Sequence, residues 1–141
     1  MPRIYITKDP VERMLEHVSM EPMSGCWLWT AALNGKGYGV TRDEYGHIAQ
    51  AHRLMFRKLR GEIPADKQLD HKCRVRCCLN PCHMEVVTQK ENLLRGFGAA
   101  AQNARKVVCK RGHSLSGDNL YMQRGTRQCR TCKRLRYLDL G

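Results

Sequence analysis

Three polar residues in the middle of the chain have the types and spacing needed for metal-assisted proton transfer. Asp70 and His71 are adjacent, and Asn92 follows twenty-one residues after His71. A carboxylate and an amide oxygen suit a hard cation such as Mg2+, while the imidazole is left to move a proton. Because neighbouring side chains of a strand point to opposite faces, the three groups converge only if the backbone bends beside His71.

Four residues near the C-terminal end have the spacing of a structural zinc site. Three residues separate Cys109 from His113, two separate Cys129 from Cys132, and fifteen lie between the two pairs. One thiolate and one imidazole from the first arm, with two thiolates from a tight turn, form a Cys3His tetrahedron. The sequence therefore predicts a zinc ion here.

The loop that follows His71 holds more ligands than one zinc ion can use. We predict a second zinc ion in this loop, which would tether it to an earlier segment. Cys77 or Cys82 can replace one member of the assigned set, and the two residues left over would be small buried apolar side chains. The assigned ligands are Cys73, Cys78 and His83, at equal spacings of five, and Cys26.

The elements that must position these groups follow from hydrophobic patterning and turn residues. We predict an N-terminal helical segment over residues 1–24, with its helix over 9–20. An antiparallel sheet and a basic helix are expected over 25–64, with strands at 26–31, 38–42 and 47–51 in one meander and the helix at 53–60. Residues 65–96 are expected to form strand 68–71, a loop, strand 84–88 and helix 89–95. A basic Cys-rich arm occupies residues 97–141, with 97–106 as a linker or continued helix.

The mixture of predicted helices and short strands indicates a small α+β protein, and composition favours one that depends on metal and binds a polyanion. The chain has 141 residues, 42% of them hydrophobic, and eight cysteines, so a thin apolar core needs reinforcement. The N-terminus lacks the apolar region of a secretory signal and no stretch reaches membrane-spanning length, which favours a cytoplasmic protein with reduced thiols. The net charge of +12, of which +8 falls in residues 97–141, points to nucleic acid and not to a membrane.

The central segment resembles a known family. LDHKCRVRCCLNPCHMEVVTQKENLLRG looks like the ββα-metal core of the HNH nucleases found in phages, and the Cys73, Cys78, His83 spacing with Asn92 is similar to the His-Cys box homing endonucleases. The C-terminal set of Cys and His echoes the second zinc of the latter family. The chain departs from the HNH pattern at its middle Asn, which is either replaced by His83 or displaced to Asn80. Asn80 is explained at least as well as a turn residue before Pro81.

The resemblance implies a metal-dependent DNA endonuclease of a phage or an infected bacterial cell. His71 would deprotonate water, and Asp70 and Asn92 would hold one Mg2+ or Mn2+, giving 5′-phosphate and 3′-hydroxyl ends. An arginine should contact the phosphate as negative charge develops, and we assign Arg53. One active site cuts one strand, so double-strand cleavage would need a homodimer.

Double-stranded DNA is the expected partner. A hairpin carrying Lys36, Tyr38 and Arg42 is expected in the major groove, which admits a two-stranded ribbon. Trp27 and Trp29 are expected to pack in the core and not against bases. The basic residues of the arm are expected to contact phosphates; they are Arg105, Lys106, Lys110, Arg111, Arg124, Arg127, Arg130, Lys133, Arg134 and Arg136.

Three other functions are compatible with parts of the sequence. A zinc-stabilised DNA- or RNA-binding module without catalysis explains charge and cysteines, but not Asp70, His71 and Asn92 in one unit. A zinc-knuckle protein of a larger nucleic-acid machine would contact RNA through its basic arm. A disulfide-rich secreted protein explains the cysteine count, but not the missing signal sequence.

Overall fold

The computed structural model describes residues 8–138 of the chain. It combines short helices with small antiparallel sheets, which confirms the predicted α+β class. Residue contacts divide the chain into two compact units, an N-terminal unit over Met1–Asn92 and a C-terminal unit over Leu93–Gly141. The predicted catalytic groups all belong to the first unit.

Within residues 8–92, the N-terminal unit contains three two-stranded sheets, each made by strands that are neighbours in the sequence. The loop over residues 72–83, here called the cysteine loop, joins the strands Lys67–His71 and Met84–Thr88 and ends in a 3-10 turn at Pro81–His83. The elements are α1 (Pro10–Leu15), β1 (Val18–Met20), β2 (Trp27–Trp29), β3 (Val40–Arg42), β4 (Ile48–Gln50), α2 (Ala51–Arg60), β5 (Lys67–His71), β6 (Met84–Thr88) and α3 (Gln89–Arg95), which runs past the unit boundary.

A small hydrophobic core holds this unit together. Leu79 of the cysteine loop is fully buried and contributes to this core, so the loop is packed and not merely tethered. Trp29 is buried as predicted, and its indole Nε1 donates to the carbonyl of Ala32 at 2.9 Å. The core consists of Met14, Trp29, Ala51, Leu54, Met55 and Leu79.

The C-terminal unit pairs one hairpin with two helices. The hairpin turns at Arg124 and Gly125, both with positive φ, and its second strand leads directly into the last helix. Arg127 donates to four backbone carbonyls of this unit at 2.9 to 3.3 Å, so its guanidinium links separate segments of the unit. The elements are α4 (Ala99–Arg105), a 3-10 turn at Gly117–Asn119, β7 (Leu120–Gln123), β8 (Thr126–Cys129) and α5 (Arg130–Leu138).

The predicted helix over 9–20 is too long. Asp9 caps α1 by accepting from the backbone N–H of Val11 at 2.8 Å, but the helix ends at Leu15. Val18–Met20 instead pairs with Trp27–Trp29, and residues 21–26 connect the two strands. Cross-strand pairing with tryptophans outweighs the helical spacing of so short a segment.

The predicted three-stranded meander is also wrong. β2 pairs with β1 on one edge, and its other edge is occupied by the cysteine loop. Trp29 N–H donates to the carbonyl of Cys77 at 2.9 Å, and Leu79 N–H donates to the carbonyl of Trp27 at 2.8 Å. Because both edges of β2 are used, the hairpin partner of β3 is β4. The chain just after β2 still meets the start of β3, through an antiparallel bridge between Leu33 and Gly39 and a bond from Val40 N–H to the carbonyl of Ala32 at 3.0 Å.

Candidate active site and metal clusters

The predicted strand, loop, strand and helix order is present in the second half of the N-terminal unit. β5 and β6 are antiparallel over five residue pairs, from Lys67 opposite Thr88 to His71 opposite Met84. α3 starts directly after Thr88, where Thr88 and Glu91 exchange bonds. Glu91 accepts from the Thr88 N–H at 2.8 Å, and Thr88 Oγ1 accepts from the Glu91 N–H at 3.2 Å. This capping box fixes the start of the helix and hence the position of Asn92.

Asn92 lies on the same face of the sheet as Asp70. Its amide nitrogen donates to the side-chain oxygen of Gln68 at 2.9 Å. Gln68 and Asp70 are two residues apart on β5, so their side chains share a face. Sequence reasoning missed Gln68, because only the fold brings α3 against β5.

Asp70 is a buried carboxylate held by an arginine. It is 6% exposed, and its Oδ1 accepts from the guanidinium of Arg74 at 2.9 Å. Arg74 has a positive φ of 60°, at the tight turn that opens the cysteine loop. The turn that follows β5 therefore orients the carboxylate through this ion pair.

His71 leaves β5 from the opposite face. The strand keeps regular register through His71, so the expected bend comes after this residue. Its imidazole is 6% exposed and places Nε2 3.0 Å from the carbonyl oxygen of Cys78. A carbonyl can only accept, so Nε2 carries the proton and Nδ1 keeps its lone pair.

Burial lowers the pKa of His71 below the ordinary histidine value. The hydrogen bond to the Cys78 carbonyl and the charge of Asp70 act in the opposite direction, and that of Arg74 lowers the pKa further. Near pH 7 the imidazole is therefore neutral and able to accept a proton at Nδ1.

Two further rings pack beside His71. The ring of His52 lies 4.8 Å from that of His71, and the Tyr38 ring lies 5.1 Å from His52 and 6.1 Å from His71. Burial, together with the charges of His71 and Arg53, lowers the pKa of His52 to about 3. Sequence reasoning gave His52 no role, since nothing in the pattern of α2 distinguishes it from other buried helix residues, and it assigned Tyr38 to the DNA surface.

The structure assembles the predicted ligands of the cysteine loop into one cluster. The first Cys/His cluster has all four ligand atoms within 4.8 Å of one another, and it comprises Cys26, Cys73, Cys78 and His83. The Nδ1 atom of His83 lies 3.5 Å from Sγ of Cys26 and 3.7 Å from Sγ of Cys78. Zinc bonds of ~2.0–2.3 Å in a tetrahedron place ligand atoms roughly 3.6–3.8 Å apart, so this set fits zinc.

Three other residues of the cysteine loop, Cys77, Asn80 and Cys82, are not members of the first Cys/His cluster. Cys82 is exposed, with the Arg60 guanidinium 3.0 Å from its sulfur, and Cys77 packs against the core. Asn80 accepts from the Cys82 N–H and donates to the carbonyl of Gly25, which supports its reading as a turn residue. Without a metal ion, burial raises the pKa of the Cys78 thiol to about 12, so a cation must displace its proton.

The second Cys/His cluster lies in the C-terminal unit. Its ligand atoms are likewise within 4.8 Å of one another, and its members are Cys109, His113, Cys129 and Cys132. Nδ1 of His113 is 3.4 Å from Sγ of Cys109 and 3.3 Å from Sγ of Cys132. The donor set and spacing suit a tetrahedral zinc ion, as the sequence predicts.

The predicted DNA contacts are only partly free of other bonds. Arg53 is half-buried on α2 beside His52. Arg42 donates to the carbonyl of Gly46 at 2.7 Å, and Lys106 donates to Asn103 at 2.9 Å. Arg105 donates to the carbonyls of Leu94 and Arg95. The predicted basic contacts with exposed side chains are Lys36, Arg42, Arg105, Lys106, Lys110, Arg111, Arg124, Arg130, Lys133, Arg134 and Arg136. Among residues 8–138, every helix falls short of the length and apolarity of a membrane span.

Comparison with known proteins identifies the class. The profile of a family described as HNH endonuclease matches residues 49–94, the segment from the end of β4 into α3. The chain belongs to the HNH endonuclease family.

Two relatives come from Escherichia phage T7. Protein 2.8 is 37% identical over 110 residues, which cover 77% of this chain and 70% of that protein. Protein 7.7 is 31% identical over 70 residues, which cover 50% of this chain and 53% of that protein, so the chain spans about half of it. No solved structure shows significant similarity to the chain.

Proposed function

We propose that this chain is a divalent-metal-dependent DNA endonuclease in which His71 is the general base. The observation that carries the proposal is the bond between Nε2 of His71 and the carbonyl of Cys78, 3.0 Å long, which leaves Nδ1 as the proton acceptor. Membership of the HNH endonuclease family supports nuclease activity on DNA. The T7 relatives support a role in a phage-infected cell.

His71 takes the proton of the attacking water at Nδ1. Its lowered pKa keeps the ring neutral near pH 7, and the buried carbonyl of Cys78 fixes its tautomer and orientation. Since Asp70 and His71 leave β5 from opposite faces, the scissile phosphate is expected to bind at the end of the strand, where both can reach it.

Asp70 and Asn92 would hold one Mg2+ or Mn2+ ion. Two protein oxygens plus substrate phosphate are a usual ligand set for Mg2+, and the two residues share a face of β5 and β6. When bound, such an ion neutralises the charge that develops on the phosphate and the leaving 3′ oxygen. Gln68 and Arg74 are positioning residues, because each bonds one of the two ligands.

The products expected from this arrangement are 5′-phosphate and 3′-hydroxyl ends. We assign Arg53 to the phosphate, because it follows His52 on α2, and the ring of His52 packs against that of the proposed general base, His71. Lys36, Tyr38 and Arg42 are assigned to duplex contacts, with Tyr38 also positioning the histidines, and the exposed cations of the arm to phosphates. Double-strand cleavage would require a homodimer, as in homing enzymes.

Cleavage of supercoiled plasmid by wild type and His71→Ala, with Mg2+ and without it, tests this function. We expect wild type to nick or linearise the plasmid only with Mg2+, and His71→Ala to bind DNA while cutting about 10²- to 10⁴-fold more slowly. His47→Ala, an exposed histidine, is the matched control. Cleavage by His71→Ala at the wild-type rate contradicts the assignment. If neither protein cuts any DNA tried, a non-catalytic zinc-stabilised binding module becomes the better description.

A further inference from the structure

A small cavity in the C-terminal unit is lined by tyrosines and cations. It has a volume of about 260 Å³, and its five lining residues, here called the tyrosine–cation surface, are Tyr121, Arg130, Lys133, Arg134 and Tyr137. Tyr121 comes from β7, and the other four lie on α5 at spacings of three, four and seven residues from Arg130. Such spacings place the four side chains on one helix face.

The surface combines aromatic faces with positive charge. The guanidinium carbon of Arg130 lies 5.4 Å from the centre of the Tyr121 ring, and Nζ of Lys133 lies 5.2 Å from it. Tyr137 is 69% exposed, so its ring is accessible to a ligand. Residues 93–141 carry eleven Lys and Arg against two Asp, so the surrounding field is also positive.

The second Cys/His cluster holds this surface in place. Two of its members are next to cations of the surface in the sequence: Cys129 directly precedes Arg130, and Cys132 directly precedes Lys133. Asn119 accepts from the backbone N–H of Thr131 at 2.9 Å, which ties the first turn of α5 to the 3-10 turn before β7. A bound ligand therefore meets a surface whose elements are already fixed, which lowers the entropy lost on binding.

From this arrangement we infer that the tyrosine–cation surface binds an unpaired nucleotide of single-stranded DNA. The base would stack on the exposed ring of Tyr137, and Arg130, Lys133 and Arg134 would hold the phosphates. Stacking on aromatic rings beside a basic groove is the usual way to bind single strands. In a duplex the faces of the bases are covered by their neighbours, so the tyrosines would have nothing to stack on. The cavity is smaller than a typical ligand pocket, which suits one nucleotide.

This inference deepens the proposed nuclease function, on which it rests for its DNA substrate. The test is binding of the full zinc-loaded chain, without Mg2+, to fluorescent oligo(dT) and to a duplex of the same length. Wild type is compared with Tyr137→Ala and Tyr137→Phe, with Tyr45→Ala as control, since Tyr45 and Tyr137 are both 69% exposed. Zinc content and far-UV circular dichroism establish that each variant is folded.

We expect Tyr137→Ala to weaken oligo(dT) binding at least about fivefold and Tyr137→Phe to retain it, because the ring and not the hydroxyl stacks. Duplex affinity should be unchanged in both. Arg134→Ala should weaken oligo(dT) binding more than Arg136→Ala, which removes the same charge from the same helix outside the cavity. Arg134→Ala should also reduce the slope of log K against log salt for oligo(dT) binding by about 0.7, the contribution of one single-strand phosphate contact.

Wild-type oligo(dT) affinity in Tyr137→Ala, or an equal loss for duplex, overturns the inference. The same preparations are assayed for plasmid cleavage with Mg2+. A wild type that cleaves beside a Tyr137→Ala variant that binds oligo(dT) normally refutes this inference alone. Loss of oligo(dT) binding in Tyr137→Ala beside a wild type that never cleaves refutes the proposed nuclease function alone.

Discussion

The imidazole of His71 donates to the carbonyl of Cys78, whose sulfur belongs to the first Cys/His cluster. One residue of the cysteine loop thus contributes its backbone to the proposed base and its side chain to the proposed zinc site. Leu79, the next residue, is fully buried in the core. The carbonyl of Cys78 is therefore held both by the cluster, through the Cys78 side chain, and by the core, through Leu79. Metal binding in the loop and orientation of the base are therefore physically coupled.

The cysteines of the loop are expected to differ in zinc binding. Cys73→Ser removes a ligand of the first Cys/His cluster and should lower the zinc content from two ions to one per chain. Cys82→Ser should retain both ions, because Cys82 is exposed and outside the cluster. Elemental analysis after gel filtration measures the stoichiometry, and loss of zinc from Cys82→Ser would show that the ligand set is different.

Gln68 is expected to matter for Mg2+ although it is not a ligand. Gln68→Ala removes the acceptor for the amide of Asn92 and should raise the Mg2+ concentration for half-maximal cleavage about 10- to 100-fold. Gln89→Ala, which changes an exposed glutamine at the start of α3, should leave it unchanged. A Mg2+ titration of plasmid nicking compares the two. If Gln68→Ala behaves as wild type at every Mg2+ concentration, Asn92 does not need this bond to act.

His52 is expected to make the fold sensitive to acid. Its pKa is about 3 in the folded chain and about 6.5 in the unfolded chain, so between these pH values only the unfolded chain binds the proton. Stability is then lost as pH falls below about 6.5, by up to about 1.4 kcal/mol per pH unit. Among residues 8–138, no hydrogen-bond partner is found for Nδ1 of His52, so an apolar ring can replace it.

His52→Phe should therefore lose less stability than wild type between pH 6.5 and pH 5, by about 1–2 kcal/mol. Denaturant unfolding at several pH values measures the difference, and comparison of the two proteins cancels the acid sensitivity of the zinc ligands. His47→Phe, at an exposed histidine, should follow wild type. Parallel pH profiles for wild type and His52→Phe would mean that His52 already titrates normally.

Gly39 is expected to tolerate no side chain. A Cβ there would lie 2.7 Å from Cδ1 of buried Trp29 and 3.2 Å from Cβ of Ala51. Gly39→Ala must therefore displace the core and should cost about 1–3 kcal/mol of unfolding free energy. Gly35→Ala, where a Cβ meets nothing within 4 Å, should change it by less than about 0.5 kcal/mol. Urea unfolding of both variants checks this, and equal stabilities would contradict the close packing at Gly39.

The strand, loop, strand and helix over β5, β6 and α3 could be predicted from sequence because its signals are local. Thr88 and Glu91 form a capping box, and the ligand spacings of the cysteine loop are short. The partners of β2 could not be predicted, because the edge opposite β1 is taken by backbone groups of Cys77 and Leu79, some fifty residues further along the chain. The packing of the Tyr38, His52 and His71 rings could not be predicted either, because these residues come from three separate segments.

The pairing of sequence neighbours in every sheet of residues 8–138 has a consequence for how the chain folds. Local pairing keeps the entropy of loop closure small, so the individual hairpins are expected to form quickly. The first Cys/His cluster is different, because Cys26 precedes Cys73 by 47 residues. Its closure is the slow, long-range step, and the refolding rate of the N-terminal unit should therefore rise with the concentration of free zinc.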